Sequence, residues 1–430
     1  MKLKTISRMI RWIGSTVGTL VLVHPALAAQ PLTAAARLGF VHSFTEQPDG
    51  AQPEGGLTRG ADGALYGMTT YGGTYGVDPI DFSNGNGTIF RIGTDNSYSV
   101  LYSFTLLNDG FSNVDGRWPN MPLIAAPDGS FYGVTPYGGT YDGGVVFHYS
   151  TTAGLTALHY FLSADDVSGS YPQAPPALGP GGVLFGTTEY GGSDFPNDGT
   201  AYSLNLDGSG FQVLQSFGGT SGLMLPNSQL LAASDGQLYG IATSVNGYAG
   251  GALYRIAADG TGFTMLHEFD YGSEGGFMTV GVIPPPIQGS DGLLYGATAD
   301  GGSGDGAIYR MATDGSGFTV LHSFAGLGSG HKNTGGGAVH APVVFGSDGQ
   351  LYGVTQFGGT NGTGTAFRMA SDGSGFTTLY NFPAVSRKGI NKVGAEPTGS
   401  VAFSQSGQLC GTALVGGSAA LGTAWCLKVK

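Results

Sequence analysis

The chain has 430 residues, with 80 glycines, 21 prolines, two cysteines and a formal net charge of −12. So acidic a surface repels phosphate backbones and anionic lipid, which argues against nucleic-acid and membrane partners. Glycine and proline at this level approach the composition of disordered chains, but here they recur at fixed places between apolar segments, which disorder would not produce.

The first segment reads as a secretory signal peptide: Lys2, Lys4, Arg8 and Arg11 precede the apolar run "WIGSTVGTLVLV", and "ALA" ends at Ala28. The run is too short, and too interrupted by Gly14, Ser15, Thr16 and Gly18, for a membrane anchor. The expected organisation is residues 1–28 as signal peptide and 29–430 as one domain, exported to the periplasm or beyond as a soluble protein with no membrane insertion. With four of the 17 basic residues in the leader and all 29 acids after it, the mature chain carries −16.

From Asp62 the chain repeats itself. "DGALYGMTTYGG" at Asp62 returns as "DGSFYGVTPYGG" at Asp128 and "GGVLFGTTEYGG" at Gly181. It returns again from Asp235, Asp291, Asp348 and Ser406. The anchor positions Tyr66, Tyr132, Phe185, Tyr239, Tyr295, Tyr352 and Cys410 are separated by 66, 53, 54, 56, 57 and 58 residues. Such a period means one supersecondary unit per repeat, stacked on its neighbours. Each unit divides into four β-patterned pieces; in the sixth these are Ala341–Ser347, Gln350–Phe357, Gly364–Ala370 and Phe376–Phe382. The Asp-Gly pairs between the first two pieces predict tight hairpins of type I′. "DGSGF" or "DGTGF" recurs between the third and fourth pieces at Asp207, Asp259, Asp314 and Asp372. No helical periodicity competes. The pattern predicts an all-β, seven-bladed β-propeller of four-stranded antiparallel blades. Fourth strands end at Phe44, Phe104, Phe161, Phe217, Phe269, Phe324 and Phe382, so the first precedes any complete repeat and the last repeat lacks one. The N-terminal strand Leu38–Phe44 is therefore expected to close the ring beside Gly422–Val429, hiding two sheet edges at once.

The combination "DGxLYGxTxxGG…GTxFR…LHSF" resembles the GloVer (Gloeobacter/Verrucomicrobia) tandem-repeat family of exported bacterial proteins over the whole mature chain. The resemblance implies an extracytoplasmic, propeller-like protein and transfers no catalytic residues. Relatives often carry a C-terminal surface-sorting segment; its lack here favours a soluble exported form.

In an up-and-down meander the first-to-second and third-to-fourth turns share one face, and here they are short and uniform. The second-to-third loops and the blade connections share the other face and vary, so ligand recognition is expected there. The charge pattern singles out one sector, because Lys332, Arg387, Lys388 and Lys392 fall in two consecutive connections, joined by His331 and His340. Convergent cations would take an anionic group such as a uronate carboxylate, and with a nearby base would suit a polysaccharide lyase; equally, they are solvated loop charges. Arg117, Trp118 and the loops "TTYGGTY" and "TPYGGTY" offer faces to sugar rings or simply cover the blades. His42, His159, His267 and His322 occupy equivalent fourth-strand positions and are read as packing between blades. No catalytic residue is assigned, no cofactor is expected, and the histidines lack the spacing of a metal site. Three readings remain: glycan recognition through the variable face, a lyase or glycosidase acting on an anionic polysaccharide, and a module for a protein partner or surface assembly. Finally, Cys410 and Cys426 fall on neighbouring antiparallel strands of the last blade, opposite one another, and are expected to form a disulfide in an oxidising compartment.

Overall fold

In the computed structural model the described residues are 37–75, 85–107, 112–162, 167–194, 198–244, 250–276, 283–302 and 304–429. The expected signal peptide lies outside them. The described residues belong to one compact unit and contain no helix.

Seven four-stranded antiparallel sheets follow one another around a ring. Blade one is Thr58–Arg59, Leu65–Thr69, Thr88–Ile92 and Tyr98–Ser103. Blade two is Ile124–Ala125, Phe131–Thr135, Val145–Ser150 and Gly154–Tyr160. Blade three is Ala177–Gly179, Val183–Thr188, Thr200–Asn205 and Gln212–Ser216. Blade four is Leu231–Ala232, Gln237–Ser244, Ala252–Ala257 and Thr264–Glu268, with Leu223–Met224 added at the far end of its long second strand. Blade five is Ile287–Gln288, Leu294–Thr298, Gly304–Met311 and Thr319–Ala325. Blade six is Val344–Phe345, Leu351–Thr355, Thr365–Met369 and Thr377–Asn381. Blade seven is Ala402–Phe403, Leu409–Ala413 and Thr423–Leu427, completed by Leu38–Ser43. The first strands are shorter than the sequence pattern predicts. Proline, which has no N–H to give a ladder, stands just before four of them, at Pro122, Pro176, Pro286 and Pro342.

The repeated dipeptide at the anchor explains why the ring holds together. Successive side chains on a strand point to opposite faces, so Leu65 packs between blades seven and one while Tyr66 packs between blades one and two. The same alternation holds at Phe131 and Tyr132, Leu184 and Phe185, Leu238 and Tyr239, Leu294 and Tyr295, and Leu351 and Tyr352. Seven hydrophobic clusters result, one between each pair of neighbouring blades, and each fully buried large side chain contributes about 1.5–3 kcal/mol. The glycine that follows makes room for the aromatic of the third strand: a Cβ on Gly67 or Gly353 would lie 2.5 Å from Phe90 or Phe367.

The Asp-Gly turns differ from the expected type. Only the glycine has positive φ (80° at Gly63), whereas type I′ needs it at both central residues. Gly63 N–H donates to Gly60 C=O and Gly60 N–H to Ala64 C=O, the pattern of a type I turn followed by a left-handed glycine. The aspartate selects this form, because Asp62 Oδ1 accepts the Ala64 N–H (3.1 Å) while Oδ2 accepts the Tyr66 hydroxyl (3.0 Å).

The four fourth-strand histidines stack on aromatic rings of the next blade. Centroid distances are 3.6 Å for His42 on Tyr98, 4.0 Å for His159 on Phe211, 3.9 Å for His267 on Phe318 and 3.7 Å for His322 on Phe376. In three of the four the partner is the phenylalanine of the "DGSGF" or "DGTGF" turn's neighbourhood, which explains why that residue recurs. The ring closes as expected: Leu38 faces Leu427, Phe40 faces Trp425 and Ser43 faces Thr423 in an antiparallel ladder. Cys410 and Cys426 form the disulfide, with Cα atoms 4.0 Å apart. They occupy the register of Tyr66 and Arg91, so a covalent bond replaces the tyrosine–arginine pair of blade one.

Candidate functional site

The blade connections contain a second repeat. In six of the seven, one residue stands six positions before the first strand at positive φ: Gln52 (53°), Trp118 (58°), Tyr171 (56°), Leu225 (49°), Ala338 (57°) and Glu396 (56°). Non-glycine residues rarely adopt this conformation, and at Gln52, Tyr171, Ala338 and Glu396 hydrogen bonds from both flanking blades hold it. Tyr171 N–H donates to Gly143 C=O of blade two's loop, while its C=O accepts Glu189 N–H of blade three. Ala338 and Glu396 are held in the same way, through Asp305 and Gln356 and through Thr363 and Leu414. Proline follows at residues 53, 119, 172, 226 and 397. After residues 53, 119 and 397 the next side chain, Glu54, Asn120 or Thr398, lines a cavity.

That arrangement builds an axial cavity of about 290 Å³ on the variable face, lined by residues from all seven connections. Glu54, Asn120, Ile283, His340 and Thr398 occupy one equivalent position in five of them. Pro122, Pro175, Pro284 and Pro342 supply apolar wall, and Gln229 and Gln356 add amides. The oxygens Asn120 Oδ1 and Thr398 Oγ1 are buried with no hydrogen-bond partner in the protein. Desolvation raises the Glu54 carboxyl to about 7. Burial lowers the His340 imidazole, with Asp300 opposing the shift.

Glu54 gives a pH prediction. Its free carboxyl titrates at 4.5 and its folded one at about 7, so the native state holds an extra proton between those values. Stability is therefore greatest below the lower value and falls as pH rises through the upper one. Glu54→Gln removes this loss. Between pH 4 and pH 8 the variant should gain up to about 3 kcal/mol over wild type in denaturant unfolding. A difference that does not change with pH would contradict the raised carboxyl.

Around the cavity runs an arc of aromatic rings over blades one to three. It alternates residues that follow the second strands (Tyr71, Tyr137, Tyr190) with left-handed connection residues (Trp118, Tyr171). Centroids are 6.0 Å apart for Tyr71 and Trp118, 5.4 Å for Trp118 and Tyr137, 5.3 Å for Tyr137 and Tyr171, and 6.1 Å for Tyr171 and Tyr190. Each ring is partly accessible, and Tyr75 and Tyr141 stand more exposed beside them. Arg117 lies beneath, its guanidinium 4.4 Å from the Trp118 ring and paired with Asp142 at 3.4 Å. The equivalent positions on blades five to seven carry Asp300, Ala338, Phe357, Glu396 and Val415, so the continuous run of rings is confined to blades one to three.

The structure separates the residues of the basic sector. His340 lines the axial cavity, while His331, Lys332, Arg387 and Lys388 are exposed on connection loops and Lys392 is exposed on the short strand Asn391–Ala395. His331 lies 4.9 Å from the Phe357 ring. Among the described residues, no group of three His, Cys, Asp or Glu side chains is placed to hold a metal ion. The sequence reading missed Glu54, Asn120 and Thr398. The signal that could have found them is the proline five residues before a first strand, obscured because those strands are only two or three residues long.

Fold and site together define a closed, disulfide-bearing repeat propeller with a cavity on its axis. The chain belongs to the Gloeobacter/Verrucomicrobia repeat family, whose model matches residues 30–244, 119–336 and 225–430. No curated protein sequence matches it. Among solved structures it is similar in fold to puromycin hydrolase (TM-score 0.52, 14% identity, covering 87% of this chain and 52% of that one). It is also similar to oligogalacturonate lyase in complex with manganese (TM-score 0.50, 10% identity, 92% and 97% covered). A third is the extracellular domain of a hybrid two-component system from B. thetaiotaomicron (TM-score 0.50, 12% identity, 90% and 40% covered).

Proposed function

We propose that this is an exported protein that recognises an extracellular glycan through its variable face. The arc Tyr71–Trp118–Tyr137–Tyr171–Tyr190 carries the reading, because a run of partly accessible rings offers apolar surface suited to successive sugar rings. Export is supported by the basic-apolar leader and by a disulfide, which persists in oxidising compartments. The exposed cations Lys332, Arg387, Lys388 and Lys392 would take an acidic substituent of the same polymer. A lyase would need a base beside those cations; His331 stands next to Lys332, while His340 lines the cavity, and chain shortening is the readout that separates binding from catalysis.

The test is gel retardation against a panel of neutral and acidic polysaccharides, read together with chain length. Trp118→Ala should weaken retardation by about tenfold or more, as loss of an aromatic anchor does, with the melting temperature as a folding control. Lys332→Ala with Arg387→Ala and Lys392→Ala should reduce the salt dependence for acidic polymers only. Chain shortening with an ultraviolet-absorbing unsaturated product would replace the reading with a lyase. No retardation by any polymer, with a protein partner co-purifying, would replace it with an assembly module.

A further inference from the structure

We infer that the axial cavity receives one uncharged sugar residue, the end of the chain that the aromatic arc holds. The inference rests on the glycan reading and adds what happens where the arc meets the axis. Asn120 lies two residues after Trp118, and Ala174 lies three after Tyr171, so the same connections carry both arc and cavity wall. A chain lying on the arc therefore has the cavity beside one end.

Size comes first. At about 290 Å³ the cavity falls at the lower limit of pockets that enclose small molecules, roughly 300–1,000 Å³. That is space for a single sugar residue rather than a chain segment. The walls match such a residue in chemistry. Pro122 and Pro284 present apolar surface for the C–H face of a pyranose, while Glu54, Asn120, Gln229, Gln356 and Thr398 give the wall its polar side chains. A sugar hydroxyl leaving water needs such partners, because a polar group buried without one costs free energy.

Charge then sets the class. Among the described residues no lysine or arginine lines the cavity, and burial disfavours the cationic form of His340. The lining holds one carboxyl, Glu54. Protonated, it donates to a hydroxyl; ionised, it repels a carboxylate or sulfate. Acidic sugars are therefore turned away from the axis, and the exposed cations of the loops are their place.

The experiment is saturation-transfer NMR of the full-length mature protein with methyl glycosides of glucose, galactose and mannose, and with glucuronate and galacturonate. Thr398→Trp fills the cavity; Asn120→Leu removes its polar wall should the larger residue disturb folding. Ser209→Ala, on an exposed turn of the opposite face, is the control. At least one neutral glycoside should bind, and a cavity variant should weaken it by about tenfold or more, a change of about 1.4 kcal/mol or greater, while the control leaves it unchanged. Uronates binding as well as neutral glycosides would overturn the inference, as would neutral signals indifferent to both cavity variants or absent altogether. If polysaccharide retardation persists while the glycosides fail, only this inference falls. If retardation is absent too, the glycan reading falls with it.

Discussion

Deleting residues 38–44 should leave an aggregated or protease-sensitive protein. This strand is the outermost of blade seven, and no other segment of the described chain pairs with the outer edge of Thr423–Leu427. Its loss exposes a ladder of N–H and C=O groups, a template for pairing with another chain. It also removes Phe44, fully buried between blades seven and one with Leu65 and Phe90. The milder change Phe44→Ala should by itself cost about 3–5 kcal/mol, the usual range for emptying a buried aromatic site. Size-exclusion chromatography and limited proteolysis check the deletion; a monomer with unchanged thermal stability would show that the ring does not depend on its N-terminal strand.

Replacing Cys410 and Cys426 together by alanine should cost about 3 kcal/mol of stability on the chain-entropy account of a short bridged loop. The bonded residues are 16 apart in sequence and sit on adjacent strands of the blade whose fourth strand comes from the other end of the chain. Blade one holds the same place with Arg91, which donates to Asp62 at 2.8 Å and to the Tyr66 hydroxyl at 3.2 Å. Blade seven has Ser406 where that aspartate stands, so the non-covalent pair has no anchor there. Thiol titration of the unfolded, unreduced protein should find no reactive thiol. Two per chain would remove the bridge from the account.

The ring was legible in the sequence because each of its devices recurs. Tyr66 and Leu65 face opposite neighbours for a reason that applies at every repeat, and repetition separates the reason from chance. Closure was legible by counting, since Phe44 and its strand had no place in the first complete repeat. The turn type was misread at Asp62, where the side chain's hold on the Ala64 N–H favours a type I turn over the mirror-image form the dipeptide ordinarily takes. The site was legible only in part. Trp118 and the loops around Tyr71 and Tyr137 stood out as aromatic, yet their meeting with Tyr171 and Tyr190 depends on connections folding back between blades. Glu54, Asn120 and Thr398 are unlike in chemistry, and only their common place after a left-handed residue groups them. That conformation at Gln52, Tyr171 or Glu396 is imposed by hydrogen bonds from two blades at once, which no local pattern contains.

The glycan-recognition claim is tested most directly by retardation of wild type, Tyr171→Ala and Ser209→Ala in gels containing the polysaccharide that binds wild type best. Tyr171 stands in the arc and Ser209 on the opposite face. The account predicts that Tyr171→Ala loses most of the retardation at unchanged melting temperature, while Ser209→Ala matches wild type. Full retardation of a folded Tyr171→Ala protein, or its loss in Ser209→Ala, would place recognition elsewhere and contradict the account.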